Sequence, residues 1–351
     1  MLGKIDCFGM TDIGCKRPKN EDQFLIADLN KSLRLHQSSL SINDYETLFG
    51  RSQGQLFLVA DGMGGHAAGE RASHLAVETV TANVLNTMPW FFRLDSDRDD
   101  DLREELAEGL LRCQEEMSAA ASREPQHDGM GTTLTMAHLI WPRLYVVHVG
   151  DSRCYIHREG DLKQITKDHT FAQQFEDSRA LDSEEIDDRW HNTLWNYIGG
   201  DSDELKPEVS KAQLRLGDTV LLCTDGLTKH VSDEAICAFL GEDLPANDVS
   251  VRLVNAAKED GGSDNITVVV VRFLETQPAT TLPDQQAAEQ VEGKSTPLAE
   301  TTLGVATQPG ADSLDDLQPE VISSNRDLPG KTATSSRSMG RSGMSCSTAR
   351  S

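Results

Sequence analysis

Apolar and polar positions alternate in short runs through most of the chain, and then the alternation stops. Six stretches read as strands: Gln55–Ala60, Thr133–Ile140, Leu144–Val149, Cys154–His157, Thr219–Thr224 and Ile266–Phe273. Each is rich in β-branched or apolar side chains and is bounded by Gly, Asp or Pro. Two longer stretches carry a helical period instead. Over Glu70–Met88, the residues Ala72, Leu75, Ala76, Val80 and Val84 fall near one face; over Asp101–Arg123, Leu102, Leu106, Leu110 and Met117 do the same. Acidic residues at the start of the second suit the positive end of a helix dipole. Further helices are expected after Ser232 and after Asn247, both good N-cap residue types.

The order of these elements constrains the fold. Leu144–His157 reads as strand, Gly-Asp-Ser-Arg turn, strand, which is a hairpin and implies antiparallel pairing. Two contiguous long helices flanked by strands do not fit a doubly wound parallel sheet. They suit an α+β sandwich of antiparallel sheets with helices on its outer faces. The polar stretch Asn30–Ser52 is expected to be an insertion or long connection, and the acidic stretch Phe171–Asn192 a helical flap on the surface. From Glu275 onward Thr, Ser, Gln, Pro, Gly and Ala dominate, and no aromatic residue occurs through Ser351. Such a segment cannot bury enough apolar surface to offset the entropy of ordering it. The expected organisation is a folded domain over 1–274 and a disordered low-complexity tail over 275–351, basic and rich in hydroxyls at its end.

Composition narrows the function classes. With 351 residues, 38% of them hydrophobic, the chain can build one large domain or two ordinary ones. A net charge of −24 argues against nucleic acid or an anionic membrane as partner and suits a protein that attracts divalent cations, though any soluble acidic protein would share it. None of the seven cysteines has C-x-x-C spacing, which argues against structural zinc and for reduced, buried thiols. No run approaches the roughly 20 apolar residues of a membrane span, and the start Met-Leu-Gly-Lys lacks a signal core. A cytoplasmic protein, monomeric and not membrane-bound, is the expectation.

The candidate chemistry lies in six aspartates, each in its own short motif: Asp22, Asp61, Asp151, Asp168, Asp225 and Asp264. Asp61, Asp151 and Asp225 follow apolar strands, and Asp264 precedes one. A carboxylate at the end of a buried strand is unfavourable unless its charge is compensated. Hard divalent cations, which prefer oxygen ligands, would compensate it. Any one Asp-Gly pair is ordinary turn chemistry, but four at strand ends can converge. Arg17, in a basic loop five residues before Asp22, is of the type that grips phosphate bidentately. His66 and His169 are candidate proton donors, against the plainer reading of both as structural or surface residues.

Arg17-Pro18-Lys19-Asn20-Glu21-Asp22, Asp61-Gly62-Met63-Gly64-Gly65, Gly129-Met130-Gly131-Thr132-Thr133, Gly150-Asp151-Ser152-Arg153, Thr224-Asp225-Gly226 and Asp264-Asn265 stand in fixed order. In that order and spacing the chain resembles the PPM/PP2C metal-dependent protein serine/threonine phosphatases, in their bacterial form, from Gly9 to about Phe273. The resemblance implies a four-layer αββα sandwich. It implies that Asp61 bridges two Mg²⁺ or Mn²⁺ ions, that the Gly62 carbonyl holds one of them and that Asp225 and Asp264 hold the other. Asp22 would act in the outer shell through water, Asp151 with Asp225 at a weaker third metal, Asn265 in support of Asp264, and Arg17 on the substrate phosphate. A water shared by two cations, with a lowered pKa, would attack phosphorus in line. Phosphorylated proteins are the implied substrates, and a serine/threonine kinase the implied opposing partner.

Two departures stand out. Met63 occupies a position where eukaryotic members carry a histidine general acid. The stretch Asn192-Thr193-Leu194-Trp195-Asn196-Tyr197-Ile198-Gly199 replaces a Thr-Arg pair by Trp195-Asn196, a departure that bears on the family's flap-side substrate contacts and not on the metal centre. Asp168 matches a family landmark and is expected to be structural. Two other readings share the motif set: a catalytically silent relative that binds phosphoproteins or a kinase, and a hydrolase of the same fold acting on a non-protein phosphate ester.

Overall fold

Period-two alternation in the strands becomes two buried faces per sheet. The computed structural model describes residues 4–34, 47–64, 68–87, 99–124, 127, 129–178, 186–200, 205–275 and 320–321. The chain begins with β1 (Lys4–Asp12), β2 (Gln23–Arg34), β3 (Thr47–Ala60) and β4 (Gly62–Met63), then helices α1 (Ala68–Thr87) and α2 (Asp99–Arg123). There follow β5 (Gly131–Thr132), β6 (Leu134–Ile140), β7 (Arg143–Val149), β8 (Arg153–Arg158) and β9 (Asp161–Gln164). Helices α3 (Phe171–Ser178) and α4 (Asp188–His191) lead to β10 (Ile198–Gly199), β11 (Glu208–Gln213) and β12 (Thr219–Cys223). Helices α5 (Asp225–Thr228), α6 (Asp233–Leu240) and α7 (Ala246–Glu259), strand β13 (Ile266–Leu274) and the short β14 (Glu320–Val321) complete it.

One sheet runs β1-β13-β12-β8-β9, a second runs β14-β11-β7-β6-β3-β2, and a small third runs β10-β5-β4. The registered pairs are antiparallel throughout, for example Gln55↔Leu139 and Cys223↔Val268. Side chains sort by parity. Phe57 and Val59 of β3 meet Val269, Val271 and Phe273 of β13 between the two large sheets. Their neighbours Leu56, Leu58 and Ala60 face outward, under Ala72, Ala76 and Val80 of α1 and Leu106, Leu110 and Met117 of α2. Val268 and Val270 face the other way, against Ile236 of α6 and Leu253, Val254 and Ala257 of α7. Helices, sheet, sheet and helices give the expected four-layer αββα sandwich.

Several boundaries differ from the sequence reading. Asn30–Ser52 is not an irregular connection throughout: β2 runs on to Arg34, β3 begins at Thr47 and the two pair, with register irregularities near Asn30. Strands β1, β9 and β11 carry too few apolar positions to stand out, whereas β2 lies outside the six expected strands despite its apolar run Phe24–Ala27. Ser232 caps α6 as expected, its hydroxyl accepting from the Ala235 N–H. Asn247 does not cap α7. It lies inside the helix, Pro245 holds the N-cap position, and the Ala246 N–H is satisfied by the Asp6 carboxylate from β1. The acidic flap contains α3 and α4, with Phe171, Phe175 and Trp190 in mutual ring contact; 179–185 lie outside the described residues. Beyond Glu275 only Glu320–Val321 is described, paired with Val209 and Glu208 at the edge of the second sheet. The rest of the expected tail lies outside the described residues.

Candidate metal centre

Every motif aspartate except Asp168 comes to one end of the sandwich. Asp61, Asp151, Asp225 and Asp264 line a single cavity of about 970 Å³ together with Arg17, Gly62, Met63, Lys229 and Asn265. Asp22 sits directly behind, 3% exposed. Asp22 immediately precedes β2 and Asp61 immediately follows β3, two strands of the second sheet. Asp151 lies in the β7–β8 turn, which crosses between the sheets, so Leu144–His157 is not the paired hairpin expected from the sequence: β7 pairs with β6 and β11, and β8 with β12 and β9. Asp225 follows β12 and Asp264 precedes β13 in the first sheet.

The turns that carry them have little freedom. The Asp61 carbonyl accepts from the Thr133 N–H at 2.9 Å and the Thr132 hydroxyl at 2.8 Å, while the Asp61 N–H donates to the Thr133 hydroxyl at 3.0 Å. A Cβ on Gly62 would lie 2.2 Å from the Gly69 carbonyl oxygen, so only glycine fits there. Asn265 acts as a staple. Its amide nitrogen donates to the carbonyls of Ile13 (3.0 Å) and Lys19 (2.8 Å), and its amide oxygen accepts from the Glu21 N–H (2.9 Å). This fastens the loop carrying Arg17 to the Asp264 turn, a more specific task than general support of Asp264.

The electrostatics are those of uncompensated carboxylates. Burial pushes Asp22 up to about 7, opposed by hydrogen bonds from the Thr267 and Thr224 hydroxyls and reinforced by the charges of Asp225 and Asp264. Burial, then Asp22, Asp225, Asp151 and Asp264, hold Asp61 well above the usual carboxylate range. Burial, with Asp225 and Asp168, does the same to Asp151. Asp22 Oδ1 and Asp225 Oδ1 are buried without a hydrogen-bond partner. Orphaned oxygens on mutually repelling carboxylates fit a group that brings concentrated positive charge and accepts oxygen ligands, which is what a divalent cation does.

Two side-chain cations reach into the cluster. Arg17 contacts Asp264 through Nε at 2.7 Å and Nη2 at 2.9 Å. Lys229 pairs with Asp225 and lies 3.1 Å from Asp264 Oδ2. Burial alone would raise the pKa of Asp264, but these two partners hold it below the ordinary value. Burial alone would lower that of Lys229, but Asp225 and Asp264 raise it. Among the described residues, no three His, Cys, Asp or Glu side chains stand together as a group that could hold a metal ion as placed.

The other candidates separate from the cavity. Asp168 takes a bidentate grip from Arg153, with Nη2 at 2.7 Å and Nε at 2.9 Å, and serves as the structural anchor expected of it. His169 is buried beneath the Asp151 turn. Its Nδ1 accepts from the Gly150 N–H at 3.1 Å, a donor that fixes the tautomer, and its Nε2 faces Glu208 at 3.5 Å. It is structural and not a proton donor to the cavity. Trp195 packs on His169, and Asn196 bonds both His169 and the Lys206 backbone, so the unusual Trp-Asn pair shores up this turn from below. Asn192, Thr193, Leu194 and Tyr197 line the cavity mouth. His66 lies outside the described residues. Sequence reasoning passed over Lys229, whose only signal is its place four residues after Asp225 on one helix.

Known proteins resemble this chain in sequence and fold. The family model for protein phosphatase 2C matches residues 35–296. The serine/threonine protein phosphatase PstP of Mycobacterium tuberculosis is 36% identical over 255 residues, which is 72% of this chain but 47% of that protein, so the chain spans about half its length. Protein phosphatase PhpP of Streptococcus pneumoniae is 30% identical over 266 residues, 76% of this chain and 96% of that one. The crystal structure of the catalytic domain of PstP in complex with two manganese ions matches 77% of this chain and 99% of its own, with a TM-score of 0.58 and 32% identity. Motif order, layered sheets and relatives agree: the chain belongs to the protein phosphatase 2C family.

Proposed function

We propose that the protein hydrolyses phosphoserine and phosphothreonine on proteins, using two divalent cations, Mn²⁺ or Mg²⁺, held among Asp61, the Gly62 carbonyl, Asp225 and Asp264. The observation that carries this reading is the convergence of four aspartates from separate motifs on one cavity that also holds an arginine, with a fifth, Asp22, buried behind it. The two manganese ions of the PstP catalytic domain support it. When bound, the two ions supply a water of lowered pKa and neutralise charge on the phosphoryl oxygens.

The chain's own residues do the rest. Asp61, at the junction of β3 and β4, is the carboxylate that would hold both ions. Asp22, with Oδ2 held by two threonine hydroxyls and Oδ1 unpartnered, would orient ligand water from behind. Arg17 is half exposed at the rim, so it can exchange Asp264 for a phosphate with both of its nitrogens. Asn265 keeps that arginine in register with the Asp264 turn. Asp151, with Asp225, is the candidate for a weaker third ion. Met63 lines the cavity but has no proton to give, so the leaving alkoxide takes its proton from another source.

The test is hydrolysis of an aryl phosphate with Mn²⁺, with and without EDTA, by wild type and Asp225→Asn. Turnover that survives EDTA, or none from folded wild-type protein, refutes the reading. A panel of phosphopeptides against small phosphate esters separates a protein phosphatase from a hydrolase of other esters. Opposition to a serine/threonine kinase is tested by incubation with autophosphorylated kinases and their substrates, where loss of phosphate is expected.

A further inference from the structure

A cation of the protein's own already occupies the position a metal ligand set needs. The Lys229 ammonium pairs with Asp225 and Asp264 at once, the two carboxylates assigned above to the same ion. Its field also reaches Asp151, where it is the first stabilising influence on that carboxylate. The backbone holds it there. Lys229 is the C-cap of α5, its N–H bonded to the Asp225 carbonyl at 2.8 Å, so its stem starts one turn from Asp225. Arg17 differs, because it comes from a separate loop and is half exposed. Lys229 is about a third exposed, with solvent on one side and carboxylates on the other.

We propose that Lys229 is a built-in competitor for divalent cations, which makes the Asp225–Asp264 side of the centre bind its ion weakly and last. An ammonium has no acceptor to offer a metal and repels one at short range, so an ion entering between Asp225 and Asp264 must displace it. The Asp61–Gly62 side, which no lysine contact covers among the described residues, loads first. In a cell, occupancy of the second ion then follows the free Mn²⁺ or Mg²⁺ level.

This rests on the metal-centre reading, and the experiment separates the two. Metal-stripped wild type, K229Q, K229M and K229R are titrated with Mn²⁺, with free ion counted by its electron paramagnetic resonance signal and heats by calorimetry. Folding of each variant is checked by circular dichroism. Wild type is expected to show a tight and a weak class of site. The weak class should tighten about tenfold or more in K229Q and K229M, and stay weak in K229R, which keeps the positive charge. Equal titrations for wild type, K229Q and K229M overturn the competitor role while leaving the metal centre standing. No Mn²⁺ uptake by any of the four overturns the metal centre itself, and this inference with it. The glutamine and methionine variants guard against misfolding of either, because one keeps a polar end and the other an apolar stem of similar length.

Discussion

Asp22→Asn should make the metal-free protein more stable at alkaline pH. Asp22 is buried and its folded-state pKa stands at about 7 against an ordinary 3.8. The folded protein therefore keeps a proton that the unfolded chain has released between those values. Stability is highest at the acid end of the window and falls as pH rises through it. The difference is about 3 units, and at about 1.4 kcal/mol per unit the ionised carboxylate costs at most about 4 kcal/mol above pH 7. Asparagine removes that penalty. It keeps an oxygen for the Thr224 and Thr267 hydroxyls but puts an NH₂ where Oδ1 has no partner. A buried unsatisfied donor costs about 1–3 kcal/mol. The net gain is about 1–3 kcal/mol at pH 8, and at pH 5, where the native aspartate is still protonated, it should vanish or reverse. Urea unfolding of both proteins in EDTA at pH 5 and pH 8 measures it. A variant less stable than wild type at pH 8, or a gain of the same size at both pH values, refutes the reasoning. Saturating Mn²⁺ should shrink the gain, because the wild-type carboxylate then has its charge compensated.

Other variants probe the remaining parts. Arg17→Lys keeps the charge but loses the two-pronged grip, so kcat/KM on an aryl phosphate should fall about 10–100-fold, the equivalent of one or two charge-assisted hydrogen bonds, while the melting temperature stays near wild type. Asn265→Ala removes three hydrogen bonds that join two loops; urea unfolding should show a loss of about 2–4 kcal/mol, with KM rising as Arg17 loosens. Gly62→Ala forces a methyl against the Gly69 carbonyl; calorimetry should show weaker Mn²⁺ binding together with a lower melting temperature.

The parts of the fold that can be read from the sequence are those where burial is one-sided or complete. Val268 to Val271 form an unbroken apolar run because β13 has a core on each face, and the run signals a strand without further context. Strand β1 does not signal itself, since Lys4–Asp12 lies at a sheet edge and none of its residues is fully buried. Strand β11 has only Val209 and Ala212 as apolar contacts for its two faces. Asn247 misleads because a tertiary cap from Asp6 and the preset backbone of Pro245 start the helix two residues earlier. At the site, the aspartates are legible because each sits in a turn next to a strong strand. Lys229 is not, because its contact with Asp264 spans 35 residues and only the fold creates it. The work of Asn265 is hidden for the same reason: its partners are backbone atoms of Ile13, Lys19 and Glu21, which no motif records.

The two large sheets each supply carboxylates to one cavity, Asp22 and Asp61 from one and Asp225 and Asp264 from the other. The gap between ligands is therefore set by the thickness of the apolar layer between the sheets, where Phe57, Val59, Val269 and Phe273 interdigitate. Interiors of this kind resist compression, so the layer would act as a spacer for the proposed metal pair. If the proposed centre holds, trimming a side chain deep in that layer would retune ion affinity from a distance, and the hydrocarbon interior would in this sense be part of the coordination chemistry.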